Sequence, residues 1–161
     1  MLGPRVYETF AERAYPGGLT YSGHPLACAA AVATINAMKD EGINERVRRL
    51  GEEVVRPRLA KLQERHPSVG DVRGLGLFWA IELVKDRATR EMLVPYNAAG
   101  EAAKPMLEVA AACKAQGVWP FTHFNRLHVV PPCVTSEKDL SNGLDVIDDA
   151  LDVADRYYTG S

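Results

Sequence analysis

At 161 residues, with 47% apolar and 25% charged side chains, the chain has the length and composition of a single globular domain. A formal net charge of −2 argues against nucleic acid and against an anionic membrane surface as partners, because both attract an excess of basic residues. No apolar run is long enough to cross a bilayer and no signal-peptide pattern opens the chain, so a cytoplasmic protein is expected.

The first 18 residues contain one short apolar segment and cannot form a core of their own. Val6, Tyr7 and Phe10 recur at helical spacing and give a small apolar face, which needs another structure to be buried against. Residues 15–18 (YPGG) then predict a turn. We interpret residues 1–18 as the tail of a domain that lies upstream.

A polar turn followed by an alanine-rich helix is predicted at 19–42. Pro25 suits the first helical position because it lacks an N–H that a helix leaves unpaired there, and Gly42 suits the end. Thr20 and Ser22 place hydroxyl groups ahead of the unpaired amides and the positive end of the helix dipole, where an anion such as phosphate could bind. Serine and threonine before a helix also serve as simple caps, so both interpretations stay open at this point.

Helices and strands alternate over residues 43–161. A second helix is expected with Asn44 as its cap, and Pro57 should kink it or divide it into two. Residues 69–84 predict a strand, because apolar side chains recur at every second position and would lie together on one face of a sheet. The alternating residues are Leu77, Trp79, Ile81 and Leu83.

The remaining elements complete the fold class. They are a polar surface loop at 85–100, a helix at 101–116, and short strands at 118–124 and 126–130. Ser136 should cap the last helix, and residues 157–161 should fray. The expected buried stripe of that helix is Leu140, Leu144, Ile147, Leu151 and Ala154. We therefore expect an α/β fold with one small, mostly antiparallel sheet packed against helices.

The turn at residues 20–31 (TYSGHPLACAAA) closely resembles the segment that opens the C-terminal part of class III, fold-type-I aminotransferases, which use pyridoxal 5'-phosphate. Residues 73–83 and 125–135 support the resemblance, which covers nearly the whole chain. In that family the threonine that matches Thr20 binds the cofactor phosphate in the active site of the partner subunit. The resemblance thus implies a homodimer, with Thr20 as a cofactor-binding residue.

The same resemblance implies a domain organisation for the chain. Residues 1–18 would end a missing N-terminal large domain, residues 19–42 would form the phosphate turn and an interdomain helix, and residues 43–161 would form the C-terminal small domain. As an alternative, the chain is a free-standing, non-catalytic α/β module that binds a small ligand or promotes oligomerisation.

Transamination needs a lysine amine that forms a Schiff base with the cofactor and an acid that keeps the pyridine nitrogen protonated. The lysines of this chain are expected on exposed helix positions or in loops, and none lies in a segment like the catalytic one of the family. They are Lys39, Lys61, Lys85, Lys104, Lys114 and Lys138. We expect this chain to hold no catalytic residue and to be inactive alone. The resemblance implies that the longer protein moves an amino group between an amine or ω-amino acid and a keto acid such as pyruvate.

Two residues on the last predicted strand are candidates for binding the substrate. Many class III members carry an arginine three residues before the first proline of a Pro-Pro pair, where it binds a substrate carboxylate, and this chain has His128 there. Arg126 lies two residues earlier, so both side chains should share one face of the strand. Either one could meet a carboxylate, and a structural role on an exposed sheet face is the alternative.

The other histidines and the cysteines offer no recognisable metal site. His24 is expected to fix the turn before the helix, His66 to lie at the surface, and His123 to lie in a loop. The three cysteines have no metal-binding spacing and are expected to be buried free thiols, namely Cys28, Cys113 and Cys133.

Overall fold

The computed structural model describes residues 3–160, and these form two compact units that meet in sequence between Asp40 and Glu41. The first unit contains α1 (Pro4–Ala11) and α2 (Pro25–Asp40), joined through a turn at 20–23. No residue of either helix is buried, and on the apolar face predicted for the first helix Val6 and Tyr7 are exposed while Phe10 is half-buried. Residues 1, 2 and 161, on which part of the predicted tail and of the fraying end falls, lie outside the described residues.

The second unit alternates helices and strands as predicted. Its elements are α3 (Ile43–Leu50), a π-helical turn (Gly51–Val55), α4 (Arg56–Arg65), β1 (Val69–Leu75), β2 (Phe78–Asp86), β3 (Glu91–Met92), a 3₁₀ turn (Gly100–Ala103), α5 (Lys104–Ala115), β4 (Phe121–His123), β5 (Arg126–Val129) and α6 (Glu137–Asp155). The four main strands follow the order β1-β2-β5-β4, every neighbouring pair is antiparallel, and β3 pairs with β2. The predicted α/β fold, a small antiparallel sheet against helices, is confirmed.

One face of the sheet packs against the helices to form the core. Trp79, Ile81 and Leu83 of β2 are buried, as their alternation predicted, and Ile81 pairs with the buried Leu127 of β5. The helices contribute Leu50, Leu59, Val109, Leu144 and Leu151, among others. The opposite face of the sheet carries the polar side chains that matter for the candidate site below.

The sequence interpretation differs from the structure around two tight turns. The single strand expected at 69–84 is a hairpin, because Gly76 has a φ of 56° and reverses the chain between β1 and β2. The residue before α3 is Gly42 in a left-handed conformation, so Asn44 lies inside the helix and the prediction that it caps the helix was wrong. The break expected at Pro57 is confirmed, since a π-helical turn precedes α4 and the proline occupies its first turn.

Two segments expected to be loose are held by contacts. Within the predicted loop at 85–100, Leu93 and Val94 are buried and the amide of Leu93 donates to the carbonyl of Leu83. Near the end of the chain, the amides of Thr159 and Gly160 both donate to the carbonyl of Lys85. The predictions of a surface loop throughout 85–100 and of fraying at 157–160 were therefore wrong.

Two further expectations concern α6 and the thiols. Ser136 caps α6 by accepting a hydrogen bond from the amide of Asp139 at 3.0 Å, and the predicted apolar stripe of this helix is buried, which confirms both predictions. Only Cys113 is buried, and its burial raises the pKa of this thiol to about 11. Cys28 and Cys133 are exposed, so the expectation of buried thiols was wrong for them. No helix in the described part of the chain is both long enough and apolar enough to cross a membrane.

Candidate functional site

The turn that leads into α2 is built from backbone hydrogen bonds and one glycine. The amide of Ser22 donates to the carbonyl of Leu19 at 2.9 Å, and Gly23 has a φ of 70°, a conformation that a side chain would oppose. Nδ1 of His24 accepts from the amide of Ala27 at 3.5 Å, so His24 acts as the cap and has the structural role expected of it.

This arrangement leaves the two hydroxyl groups of the turn at the surface. Thr20 and Ser22 are both exposed, and His24 rather than either of them caps α2. Thr20 lies in the turn, five residues before the first residue of the helix. A hydroxyl group in this position can donate a hydrogen bond to an anion without giving up a capping role.

The outer face of the sheet in the second unit brings Arg126 and His128 together. Both are half-buried in β5, and they alternate with the buried Leu127 and Val129, so they share one face as the strand period predicts. Across the neighbouring strand, Arg126 lies opposite Glu82 and His128 lies opposite Ala80.

The guanidinium group of Arg126 has no carboxylate partner among residues 3–160. Its Nη2 donates to Nδ1 of His123 at 2.9 Å. Glu82, its neighbour across the sheet, instead binds Arg73 at 2.7 Å, and Arg73 also binds Asp71 at 2.6 Å. The face therefore carries one guanidinium whose charge an incoming carboxylate could balance.

His128 has a different environment from Arg126. Its ring packs between Phe121 and Phe78, at centroid distances of 5.2 and 6.3 Å, and its Nδ1 is buried without a hydrogen-bond partner in the described chain. Burial lowers the pKa of His128, and the positive charge of Arg126 lowers it further. His128 is therefore neutral at neutral pH, and of the two candidates Arg126 is the better partner for a carboxylate.

The lowered pKa of His128 predicts how pH affects stability. As pH falls below about 6.5, the ordinary value for histidine, the unfolded chain takes up a proton at this position that the folded chain takes up less readily. Stability should therefore fall towards pH 5, and less steeply in His128→Phe, which keeps an aromatic ring between the two phenylalanines. Thermal unfolding of both proteins from pH 7.5 to pH 5 measures this. If the melting temperatures of the wild type and His128→Phe differed by the same amount at pH 7.5 and at pH 5, the prediction would be contradicted.

A cavity of about 260 Å³ opens beside His128, between the end of β5 and α6. Most of its lining is apolar, from Trp119, Phe121, Pro131 and Leu140 among others. A ligand that enters this cavity would therefore meet mainly hydrocarbon and aromatic surface, with His128, Thr135 and Asp139 as the polar residues of the lining.

All six lysines lie within residues 3–160, and none of them is buried. Five of the six lysines are exposed, and Lys85 is half-buried with its Nζ 3.2 Å from Oε1 of Glu91. Reactive lysines are usually desolvated or placed beside another cation, which lowers their pKa. The expectation that none of these lysines forms the Schiff base remains a prediction.

One buried histidine was missed. His66, expected at the surface, is 1% exposed and contacts Asp148 at 2.8 Å and Asp155 at 2.7 Å. That expectation was wrong because the carboxylates lie more than 80 residues away in sequence. The only sequence signal was that Asp148, Asp152 and Asp155 recur at helical spacing on one side of α6.

The family described as Aminotransferase class-III matches residues 4–151 of this sequence. The chain belongs to the class-III aminotransferase family. The resemblance inferred from the turn at 20–31 is thereby confirmed. The match includes both the turn with Thr20 and the strand with Arg126 and His128.

Individual class-III relatives agree with this assignment. Ethanolamine-phosphate phospho-lyase homolog 1 of Caenorhabditis elegans is 34% identical over 140 residues, which make up 85% of this chain and 28% of that protein. The uncharacterized aminotransferase YhxA of Bacillus subtilis is 40% identical over 129 residues, 76% of this chain and 26% of YhxA.

Solved structures of the family share the fold. The taurine:2-oxoglutarate aminotransferase from Bifidobacterium kashiwanohense, in complex with PLP and glutamate, superposes with a TM-score of 0.82 at 31% identity. The superposition covers 95% of this chain and 33% of that one. The present chain thus spans about a third or less of the length of these relatives.

Proposed function

We propose that this chain is the C-terminal portion of a pyridoxal-phosphate-dependent class-III aminotransferase. The longer protein would move an amino group between an amine or ω-amino acid and a keto acid such as pyruvate. The observation that carries the proposal is the family match over residues 4–151 of a chain whose lysines are all exposed or half-buried. The structural neighbour in complex with PLP and glutamate supports the choice of cofactor.

The proposal assigns each segment a place in the longer protein. Residues 1–18 end a large domain, residues 19–42 form the phosphate turn and an interdomain helix, and residues 43–161 form the small domain. Large apolar side chains of α2 are exposed, with Leu26 at 74%, Val32 at 58% and Ile35 at 52%. Such a surface suits a helix that packs against the large domain or the partner subunit of a homodimer.

The residues of the turn fit one part of the cofactor. The exposed hydroxyl group of Thr20 would donate a hydrogen bond to the phosphate of the cofactor bound in the partner subunit. When bound, pyridoxal 5'-phosphate supplies the electron sink that amino-group transfer requires. The reactive lysine and the acid for the pyridine nitrogen would come from the large domain, so this chain is inactive alone.

The second unit would supply the substrate contacts. Arg126, held by His123 and lacking a carboxylate partner among the described residues, would bind a substrate carboxylate. Neutral His128, whose ring packs between Phe121 and Phe78, would meet an uncharged part of the substrate.

Titration of the 161-residue chain with pyridoxal 5'-phosphate tests the proposal. We expect no saturable visible absorption from a lysine adduct, because each lysine is exposed or half-buried without the setting that activates it. The same titration of the longer protein should saturate and be accompanied by amino transfer. A specific, saturable band with this chain alone would show that one of its own lysines reacts, which would contradict the assignment.

Thr20→Ala in the longer protein tests the phosphate contact. A hydrogen bond to a charged group is worth about 1.5–3 kcal/mol, so cofactor affinity should fall roughly 10- to 100-fold. Thr20→Ser keeps the hydroxyl group and should retain most of the affinity. The cofactor dissociation constant, measured by dialysis and absorbance, decides the outcome, and an unchanged constant in Thr20→Ala would remove Thr20 from the phosphate site.

A further inference from the structure

The buried imidazole of His66 lies among charged side chains where α4 ends, near the last turns of α6. Its Nε2 lies 2.8 Å from Oδ1 of Asp148, and its Nδ1 lies 2.7 Å from Oδ2 of Asp155. Oδ1 of Asp152 lies 3.8 Å from the same Nδ1. Arg65 contacts the carboxylate of Asp148 at 2.8 Å and that of Asp152 at 3.9 Å.

A ring with both nitrogens protonated would donate to Asp148 and to Asp155, so the hydrogen bonds of this cluster are balanced only when a second proton, or a cation in its place, lies at Nδ1. A neutral imidazole carries one N–H, and ionised carboxylates only accept, so one ring nitrogen must direct a lone pair at a carboxylate. Arg65 lies 2.8 Å from the carboxylate of Asp148 and 3.9 Å from that of Asp152, and Nδ1 faces both Asp152 and Asp155. With a neutral ring, three carboxylates and one guanidinium leave two negative charges, and a divalent cation at Nδ1 would balance them.

We propose that Nδ1 of His66, Asp152 and Asp155 bind a divalent transition-metal ion of the zinc type. Their ligand atoms all lie within 4.8 Å of one another, and imidazole nitrogen with carboxylate oxygen is a donor set that zinc accepts. Water would complete the coordination on the side of Asp152, whose side chain is 58% exposed and gives the ion a path from solvent.

Two of these three residues, His66 and Asp155, have partners like those that orient metal-bound histidines and carboxylates. Asp148 accepts from Nε2 of His66, the contact that commonly orients a metal-binding imidazole. The second oxygen of Asp155 accepts from the amide of Ser68 at 3.1 Å and from its hydroxyl group at 2.6 Å. The side chains of His66 and Asp155 are thereby held in place by contacts on the side away from the ion. The metal would join α6 to the end of α4, and this inference does not depend on the proposed transaminase function.

Calorimetric titration of the 161-residue chain with zinc chloride tests the site. The exposed Cys28 and Cys133 are first alkylated with iodoacetamide so that their thiols do not bind the metal. We expect one zinc ion per chain. Asp152→Asn, which removes the most exposed ligand, should weaken binding by about tenfold or more, by analogy with the effect of losing an orienting partner.

Asp149→Asn is the matched control, because Asp149 is an exposed aspartate of the same helix outside the cluster. It should bind zinc as the wild type does, and circular dichroism should show that both variants keep the fold. Failure of the wild type to bind one zinc ion would overturn the proposal and indicate that a proton balances the cluster. Equal affinities of Asp152→Asn and Asp149→Asn would also overturn it, by placing the bound zinc elsewhere.

Discussion

Replacing Asp155 with alanine is expected to destabilise the second unit by about 3 kcal/mol. The carboxylate of Asp155 accepts hydrogen bonds from the amide and hydroxyl groups of Ser68 and contacts His66 at 2.7 Å. Both partners are buried, at 0% and 1% exposure, so water cannot readily replace the lost acceptor. Removing one member of a buried charged group usually costs about 3–5 kcal/mol, and the 23% exposure of Asp155 favours the lower end.

Urea unfolding followed by circular dichroism, with a metal chelator present, measures this effect. Asp149→Ala serves as the control, since it removes an exposed carboxylate from the same helix and should change stability by less than about 0.5 kcal/mol. A double-mutant cycle with His66→Ala should give a coupling of at least about 0.5 kcal/mol, because the two side chains are in contact. Equal stabilities of the Asp155 and Asp149 variants would show that the contacts of Asp155 do not hold α6 in place.

Local patterns were sufficient to predict most of the secondary structure. The alternation of Trp79, Ile81 and Leu83 required a half-buried strand, and Ser136 with the apolar stripe behind it required a capped helix. Both inferences depend on neighbours within a few residues. The fold class followed, because helices and short strands in this order leave few ways to bury their apolar faces.

The errors came from contacts between residues far apart in sequence. The hairpin turn at Gly76 was missed because the apolar pattern continues across it, while the reversal depends on a positive φ that only the structure reveals. His66 was assigned to the surface because its carboxylate partners lie on α6. The fraying expected after Tyr157 did not allow for the carbonyl of Lys85, which binds two of the amides that follow.

The candidate site was predictable to a similar degree. A strand period of two was enough to place Arg126 and His128 on one face, whereas the role of Thr20, selected from the turn sequence, stays a prediction. The unpartnered Nδ1 of His128 and the contact of Arg126 with His123 depend on side-chain packing across β4 and β5, which periodicity does not encode. The division of roles proposed here, with Arg126 for charge and His128 for an uncharged group, therefore required the structure.

Two glycines bring the π-helical turn and the hairpin into close contact. Gly51, in the π-helical turn, packs directly against Gly76. A Cβ atom on Gly51 would lie 2.3 Å from the carbonyl oxygen of Gly76 and 2.6 Å from its Cα. These are backbone atoms, so no side-chain rotation can relieve the overlap.

Gly51→Ala should therefore destabilise the second unit by about 1–3 kcal/mol, the usual cost of overpacking a well-filled core. The helical turn and the hairpin would have to separate, which would disturb Leu50 and Trp79 nearby, both of them buried. Denaturant unfolding measures this change. If the wild type and Gly51→Ala have the same m value, the difference between them lies in stability and not in the denatured state.

Gly143→Ala provides the opposite expectation in the same protein. Gly143 lies within α6, and a Cβ atom there would meet no other atom within 4 Å. Alanine is favoured over glycine inside a helix by about 0.5–1 kcal/mol, so this variant should be more stable than the wild type. If Gly51→Ala were equally well tolerated, the close contact between the π-helical turn and the hairpin would not limit the packing of α3 and α4 on the sheet.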